Sequence, residues 1–180
     1  MPVRIREPWL SFLYDVDKAL TQPVEVHCCG GFVMSVLWEL SRPTGDVDFI
    51  DIFPSDAVHE LLAIAGEDSE LARRYHLKFH RVTISQCPEG YVSRLVDISP
   101  ENIRNLRLRA LEIHDLVLAK LSRNSPKDRA DVEYLAGKGA LCRQTLEDRF
   151  DAELRPYLLN EERETTTMNL WLEEFFEDSS

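Results

Sequence analysis

Apolar residues recur along this chain at helical spacing in some stretches and at strand spacing in others, and the switches between the two predict its elements. Leu10, Leu13, Val16 and Leu20 share one face of a first amphipathic helix, Pro8 to Leu20. An apolar strand, Val24 to Cys28, runs into the glycine pair Gly30-Gly31, and a helix from Phe32 to Leu40 follows. The turn Ser41-Arg42-Pro43-Thr44-Gly45 leads to a second strand, Asp46 to Phe53, closed by Pro54. Ser55 is placed to cap a helix through Gly66, and a short helix is expected at Ser69 to Tyr75. Lys78 to Ser85, Tyr91 to Ile98 and Arg107 to Ile113 read as further strands, with Pro88-Glu89-Gly90 as a turn.

From His114 onward the pattern is helical. His114 to Leu121 is one helix, and Ser125-Pro126-Lys127-Asp128 opens the next with a capping serine, a proline at the first position and an acid at the third. Gly137 and Gly139 end it. Leu141 to Leu154 is another, broken at Pro156, and Thr165 to Glu177 carries a stripe of Met168, Trp171, Leu172, Phe175 and Phe176 that packs on the core or on a partner. The order predicts an α/β fold: a small mixed sheet flanked by helices, with a helical C-terminal region. Residues 1–113 would form the α/β core and residues 114–180 a helical region packed on it as one structural unit.

Composition narrows the class. With 44% hydrophobic and 29% charged residues in 180, the chain has the profile of a folded globular protein. No apolar run approaches the roughly 18 residues of a membrane span, and the amino terminus lacks the apolar stretch of a signal peptide, so the expectation is a cytoplasmic protein without a membrane partner. Cys28, Cys29, Cys87 and Cys142 have no C-x-x-C spacing, and the five histidines form no metal-binding motif. The net charge of -11 argues against broad nucleic-acid binding. Charge is uneven, however: Arg94 to Arg129 holds eight basic residues against five acids, whereas Glu161 to Ser180 holds seven acids and one arginine. A polyphosphate or RNA fits the first stretch, and so does ordinary decoration of strand and helix faces.

The chemistry resides in Gly30-Gly31 and Asp46-Val47-Asp48. Residues i and i+2 of a strand point to one side, so Asp46 and Asp48 present two carboxylates together. Such a pair repels unless a cation lies between, and Mg²⁺ is satisfied by one or two carboxylates completed with water and substrate phosphates. Glycines at a helix start let the backbone approach a phosphate closely, next to unpaired N–H groups and the positive end of the helix dipole.

These residues resemble the minimal nucleotidyltransferase superfamily, especially the abortive-infection toxin type (AbiEii-like, including the MenT toxins). The resemblance spans roughly residues 24 to 137 and rests on Cys29-Gly30-Gly31, on Asp46-Val47-Asp48, on Lys120 in Leu118-Ala119-Lys120-Leu121, and on Lys127-Asp128-Arg129-Ala130-Asp131. It implies that Asp46 and Asp48 bind Mg²⁺ or Mn²⁺, that Gly30 and Gly31 contact phosphates, and that Lys120 and Lys127 meet the triphosphate of a nucleoside triphosphate. Asp131 would position Lys120 or the nucleotide. The implied acceptor is an RNA, tRNA by precedent, or a protein hydroxyl, and an antitoxin partner is a further implication. A capping box accounts for Asp128 without catalysis, and a snorkelling surface lysine is the alternative for Lys120.

One departure stands out. Many members of this superfamily supply a third carboxylate from a neighbouring strand, but Lys78 to Ser85 has no acid and offers His80 instead; Asp97, on the next expected strand, is the remaining candidate metal ligand. The alternative to an enzyme is therefore a non-catalytic protein of the same fold that binds a nucleotide or a partner. A carboxylate-metal phosphohydrolase is disfavoured, for want of a histidine cluster or an evident nucleophile.

Overall fold

In the computed structural model, which describes residues 3–83 and 85–176, the expected mixed sheet forms from five strands flanked by helices, with helices throughout the C-terminal region. The chain divides into two compact units, residues 1–83 with 95–111 and residues 84–94 with 112–180.

The first unit holds the whole sheet: β1 (Val24–Cys29), β2 (Asp46–Phe53), β3 (Lys78–Arg81), β4 (Val96–Asp97) and β5 (Leu106–Ala110), in the order β3-β2-β1-β5-β4. β1 pairs antiparallel with β2 and parallel with β5; β3 is parallel to β2, and β4 antiparallel to β5. Its helices are α1 (Trp9–Ala19), α2 (Gly30–Trp38), α3 (Ala57–Ala65) and α4 (Glu70–Tyr75). Leu106, Leu108, Val26, Cys28, Val47, Phe49 and Phe79 alternate onto one sheet face and are buried with Phe12, Leu13 and Val16 of α1. Phe12 and Phe79 stack with ring centroids 5.9 Å apart. Each such side chain contributes about 1.5–3 kcal/mol on burial. The intervening positions, Asp46, Asp48, Lys78, His80, Arg107 and Arg109, give the other face its charge.

A bulge interrupts β2. Cys28 faces Phe49 while His27 faces Asp51, so Ile50 is an extra residue and the alternation changes phase there. The bulge also limits β3, whose register runs only from Asp46↔Lys78 to Phe49↔Arg81. The strand expected to reach Ser85 therefore stops at Arg81; Ile84 lies outside the described residues.

Other boundaries move for local reasons. α2 begins at Gly30 rather than Phe32, so both glycines form its first turn. α3 starts at Ala57 without the Ser55 cap, because Ala57 N donates to Pro54 O across the preceding turn at 3.0 Å. Ser69 caps α4 as a serine should, accepting from Ala72 N at 3.0 Å. Asp17, buried on α1, accepts from Arg104 N, Asn105 N and Leu106 N at 3.0, 2.6 and 2.8 Å and so fixes the chain where it enters β5.

The second unit contains α5 (Ile113–Leu118), α6 (Pro126–Gly137), α7 (Arg143–Arg149) and α8 (Glu161–Phe175). The strand expected at Tyr91 to Ile98 is instead a 3-10 turn, Glu89–Arg94, followed by the two residues of β4. Ion pairs override strand propensity there: Arg94 reaches Asp115 at 2.8 Å and Glu153 at 2.7 Å, and Gly90 N donates to Glu153 at 3.0 Å. The expected strand through Ile113 ends at Ala110, and Ile113 already begins α5 with Glu112 as cap. α7 starts at Arg143, since Cys142 N is bound by His114 Nε2 at 2.9 Å; past Arg149 the helix loosens into a π turn, Phe150–Leu154. The expected capping box of α6 is present in full. α8 begins four residues early, at Glu161, capped by Asn160, and buries Met168, Trp171 and Leu172 within the chain. Among the described residues no helix is long and apolar enough to cross a membrane.

Candidate active site

Gly30 and Asp48 are packed too closely for any other residue at position 30. A Cβ there would stand 2.4 Å from Asp48 Oδ2, and the backbone has φ +74°, a conformation that L side chains rarely adopt. A Cβ on Gly31 would face the other way, 3.3 Å from Thr44 Oγ1 and 3.6 Å from Arg42 Nη2. The two glycines thus bring the start of α2 against the acidic strand on one side and against the Arg42-Pro43-Thr44 turn on the other. Neither Arg42 nor Thr44 was marked by the sequence, where they look like ordinary turn residues.

Asp46 and Asp48 lie on one face of β2, with side chains 43% and 19% exposed. The parallel register sets Lys78 beside Asp46 and His80 beside Asp48. His80 Nδ1 is 2.9 Å from Asp48 Oδ1, while Lys78 Nζ is 3.9 Å from Asp46 Oδ1 and closer, 2.9 Å, to Glu67. Lys78's hydrogen bond to Glu67 favours its charged form and raises its pKa. The strand that lacks the third acid therefore supplies two bases, spaced to match the two carboxylates. Asp97 does not fill the gap. It sits on β4, three strands from β2 and hence about 14 Å across the sheet, and is hydrogen-bonded to Arg107 at 3.3 Å and to Ser99 N at 2.9 Å.

Among the described residues no three His, Cys, Asp or Glu side chains are arranged to hold a metal ion. Two carboxylates beside a side-chain-free helix start fit a cation that arrives with phosphate and keeps its water, which is the way Mg²⁺ binds. Thiol chemistry is not supported at this site. Burial, and then the charge of Asp48, push the Cys28 thiol far above its ordinary range. In the second unit burial raises Cys87 to about 12.

The lysine motifs lie in the helical unit. Lys120 follows α5 in a turn, is only 5% exposed, and gives its ammonium to Asp131 at 2.8 Å and Asp128 at 3.2 Å. It is not a snorkelling surface lysine. Asp128 also takes Arg123 at 2.6 Å and the Ser125 N–H and hydroxyl at 3.0 and 2.7 Å. Burial opposes the charged form of Asp128, but these donors and the Lys120 charge outweigh it and hold the carboxyl well below its usual range. Lys127, one residue away, is exposed. Gly30, Gly31, Asp46 and Asp48 are thus gathered in the sheet unit, and Lys120, Asp128 and Asp131 in the helical unit.

No curated protein and no solved structure matches the chain. A family model does match, over residues 13–179, and takes in the glycine pair, both acids and the lysine motifs. The chain belongs to the family described as nucleotidyltransferase of unknown function (DUF6036).

Proposed function

We propose that the protein transfers a nucleotide from a nucleoside triphosphate to a hydroxyl acceptor, an RNA or a protein, with Mg²⁺ or Mn²⁺ held by Asp46 and Asp48. The observation that carries this reading is the placement of both carboxylates on one strand face, with Asp48 lodged where a side chain on Gly30 would be. Bound there, the cation would offset triphosphate charge as the acceptor oxygen bonds to the α-phosphorus and the bond to pyrophosphate breaks. Gly30 and Gly31 leave the first N–H groups of α2 accessible to phosphate oxygens. The resemblance gives Lys120 and Lys127 to the triphosphate; the hold of Asp128 and Asp131 on Lys120 favours a positioning role for that buried lysine. Kinship with AbiEii-like toxins, and with it an antitoxin partner, rests on the resemblance alone.

Incubation with each α-labelled nucleoside triphosphate, Mg²⁺ and total RNA tests the reading. Label should enter RNA or protein with the wild type and fall at least about a thousandfold in Asp46→Ala/Asp48→Ala, the scale of losing electrostatic stabilisation at the reacting phosphate. Equal labelling by both proteins would end the proposal.

A second reading is favoured by Lys78 and His80. With a base beside each acid, both carboxylates have protein neighbours without a metal, as in a non-catalytic member of the family that binds a nucleotide or a partner. Calorimetry that detects nucleotide binding without Mn²⁺ would support its nucleotide-binding form, and calorimetry that detects neither would support its partner-binding form.

A further inference from the structure

The turn that meets Gly31 also forms one wall of a cleft of about 500 Å³ within the sheet unit, between α2 and the segment that precedes α1. That volume falls in the range of small-ligand sites. Arg4, Arg6 and Arg42 contribute three guanidinium groups to its lining, against the carboxylates of Glu7 and Glu39. Glu7 is already engaged, accepting from Ser11 N at 3.1 Å in the first turn of α1. Buried Ile5 anchors the segment, and Arg4 and Arg6 on either side of it are exposed. Five other cations of this unit are ion-paired: Lys18 and Arg74 with Asp15, Lys78 with Glu67, Arg107 and Arg109 with Glu25. Arg4 and Arg6 make no ion pair among the described residues. The cleft also presents Trp9, half-buried and braced by Phe32 with ring centroids 4.8 Å apart, a rigid face on which a base can stack.

Guanidinium groups beside an aromatic platform are the chemistry that recognises single-stranded nucleic acid, with phosphates paired by arginine and a base laid on the ring. A protein hydroxyl brings no charge that would require them. The incoming triphosphate already has its own complement in the two acids, their cation and the start of α2. We propose that this cleft is the acceptor subsite and takes the phosphodiester backbone of a single-stranded RNA end, Arg4 and Arg6 pairing with phosphates and Trp9 stacking a base. The proposal rests on the nucleotidyl-transfer reading and supplies its acceptor class.

The test measures fluorescence anisotropy of a fluorescein-labelled, mixed-sequence RNA of roughly 12 nucleotides against the full chain over a salt series. Each phosphate contact on a single strand adds about 0.7 to the slope of log K against log salt, so Arg4→Ala/Arg6→Ala should lower the slope by about 1.4 and weaken binding at least tenfold. Arg4→Lys/Arg6→Lys should keep the slope, and calorimetric binding of a non-hydrolysable ATP analogue with Mg²⁺ should stay within twofold in both variants. Unchanged slope and affinity in the alanine variant would overturn the proposal. So would loss of analogue binding with RNA binding intact, which would give the cleft to the nucleotide's own phosphates, or label entering protein while the wild type binds no RNA. Failure of the transfer reading is seen separately, as equal RNA labelling by wild type and Asp46→Ala/Asp48→Ala.

Discussion

His80 Nδ1 lies 2.9 Å from Asp48 Oδ1, on the strand where the resemblance leads to the expectation of a third carboxylate. The neighbour of Asp48 there is a ring that is neutral or cationic, and the site carries one negative charge fewer than three acids would give. Converting His80 to Asp should raise Mn²⁺ affinity about tenfold, since ligand charge tunes cation binding. Isothermal calorimetry reads this directly; an unchanged or weaker affinity would mean that residue 80 does not face the metal position.

Gly30→Ala places a methyl group against Asp48 Oδ2 and forces an L side chain into φ +74°. The backbone term alone costs about 1–2 kcal/mol, so the urea midpoint should fall. Mn²⁺ binding should fall further than stability does, because Asp48 must turn away. Gly31→Ala, whose added methyl meets Thr44 at 3.3 Å, should be milder on both measures.

Lys120→Met leaves Asp128 and Asp131 buried without its ammonium, and removing one partner from a buried ion cluster costs about 3–5 kcal/mol. Chemical denaturation should show a loss of that size. Lys120→Met/Asp131→Leu should recover part of it, because it also removes one of the buried carboxylates left without that countercharge. A loss under about 1 kcal/mol for the single variant would return Lys120 to the role of a mobile phosphate ligand.

Acid stability should depend on Glu112. Burial disfavours its charged form, but hydrogen bonds from His114 and Arg149 prevail and bring it from 4.5 to about 2. A carboxyl lowered in the folded state stabilises the fold above pH 4.5 and gives that up as pH falls toward 2, here up to about 3 kcal/mol. Urea midpoints taken between pH 5 and 2 should fall less steeply in Glu112→Gln than in the wild type. Parallel curves would remove Glu112 from the acid transition.

The readable parts of this fold are those set by neighbours in sequence. The run from β1 through the glycines and α2 to Asp46-Val47-Asp48 follows from strand alternation, glycine and proline punctuation and helix periodicity, all local. The capping box at Ser125 is equally local. The parts that could not be read depend on distant partners. Tyr91 to Ile98 alternates like a strand, yet Arg94 is drawn to Asp115 and Glu153, 21 and 59 residues away. Asp17 looks like a stray charge on an apolar helix until β5 arrives 89 residues later to use it. The pairing of His80 with Asp48 needs the β2–β3 register, which no single strand encodes.

Ile50, the extra residue in β2, bears on how this site can change by insertion and deletion. Under strict alternation Asp51 would share the helix-covered face with Val47 and Phe49, and Ile52 would join Asp46 and Asp48 among the charges. The offset instead sends Ile52 inward beside Val26, 1% exposed, and keeps Asp51 out of that layer. Loss of a single residue here would invert the far half of β2 and drive a carboxylate into the apolar layer, whereas most substitutions at position 50 would leave the phase intact. The length of this strand is therefore constrained more tightly than its composition, and a chain of this family that lacked the offset would need a different residue pattern after its second acid.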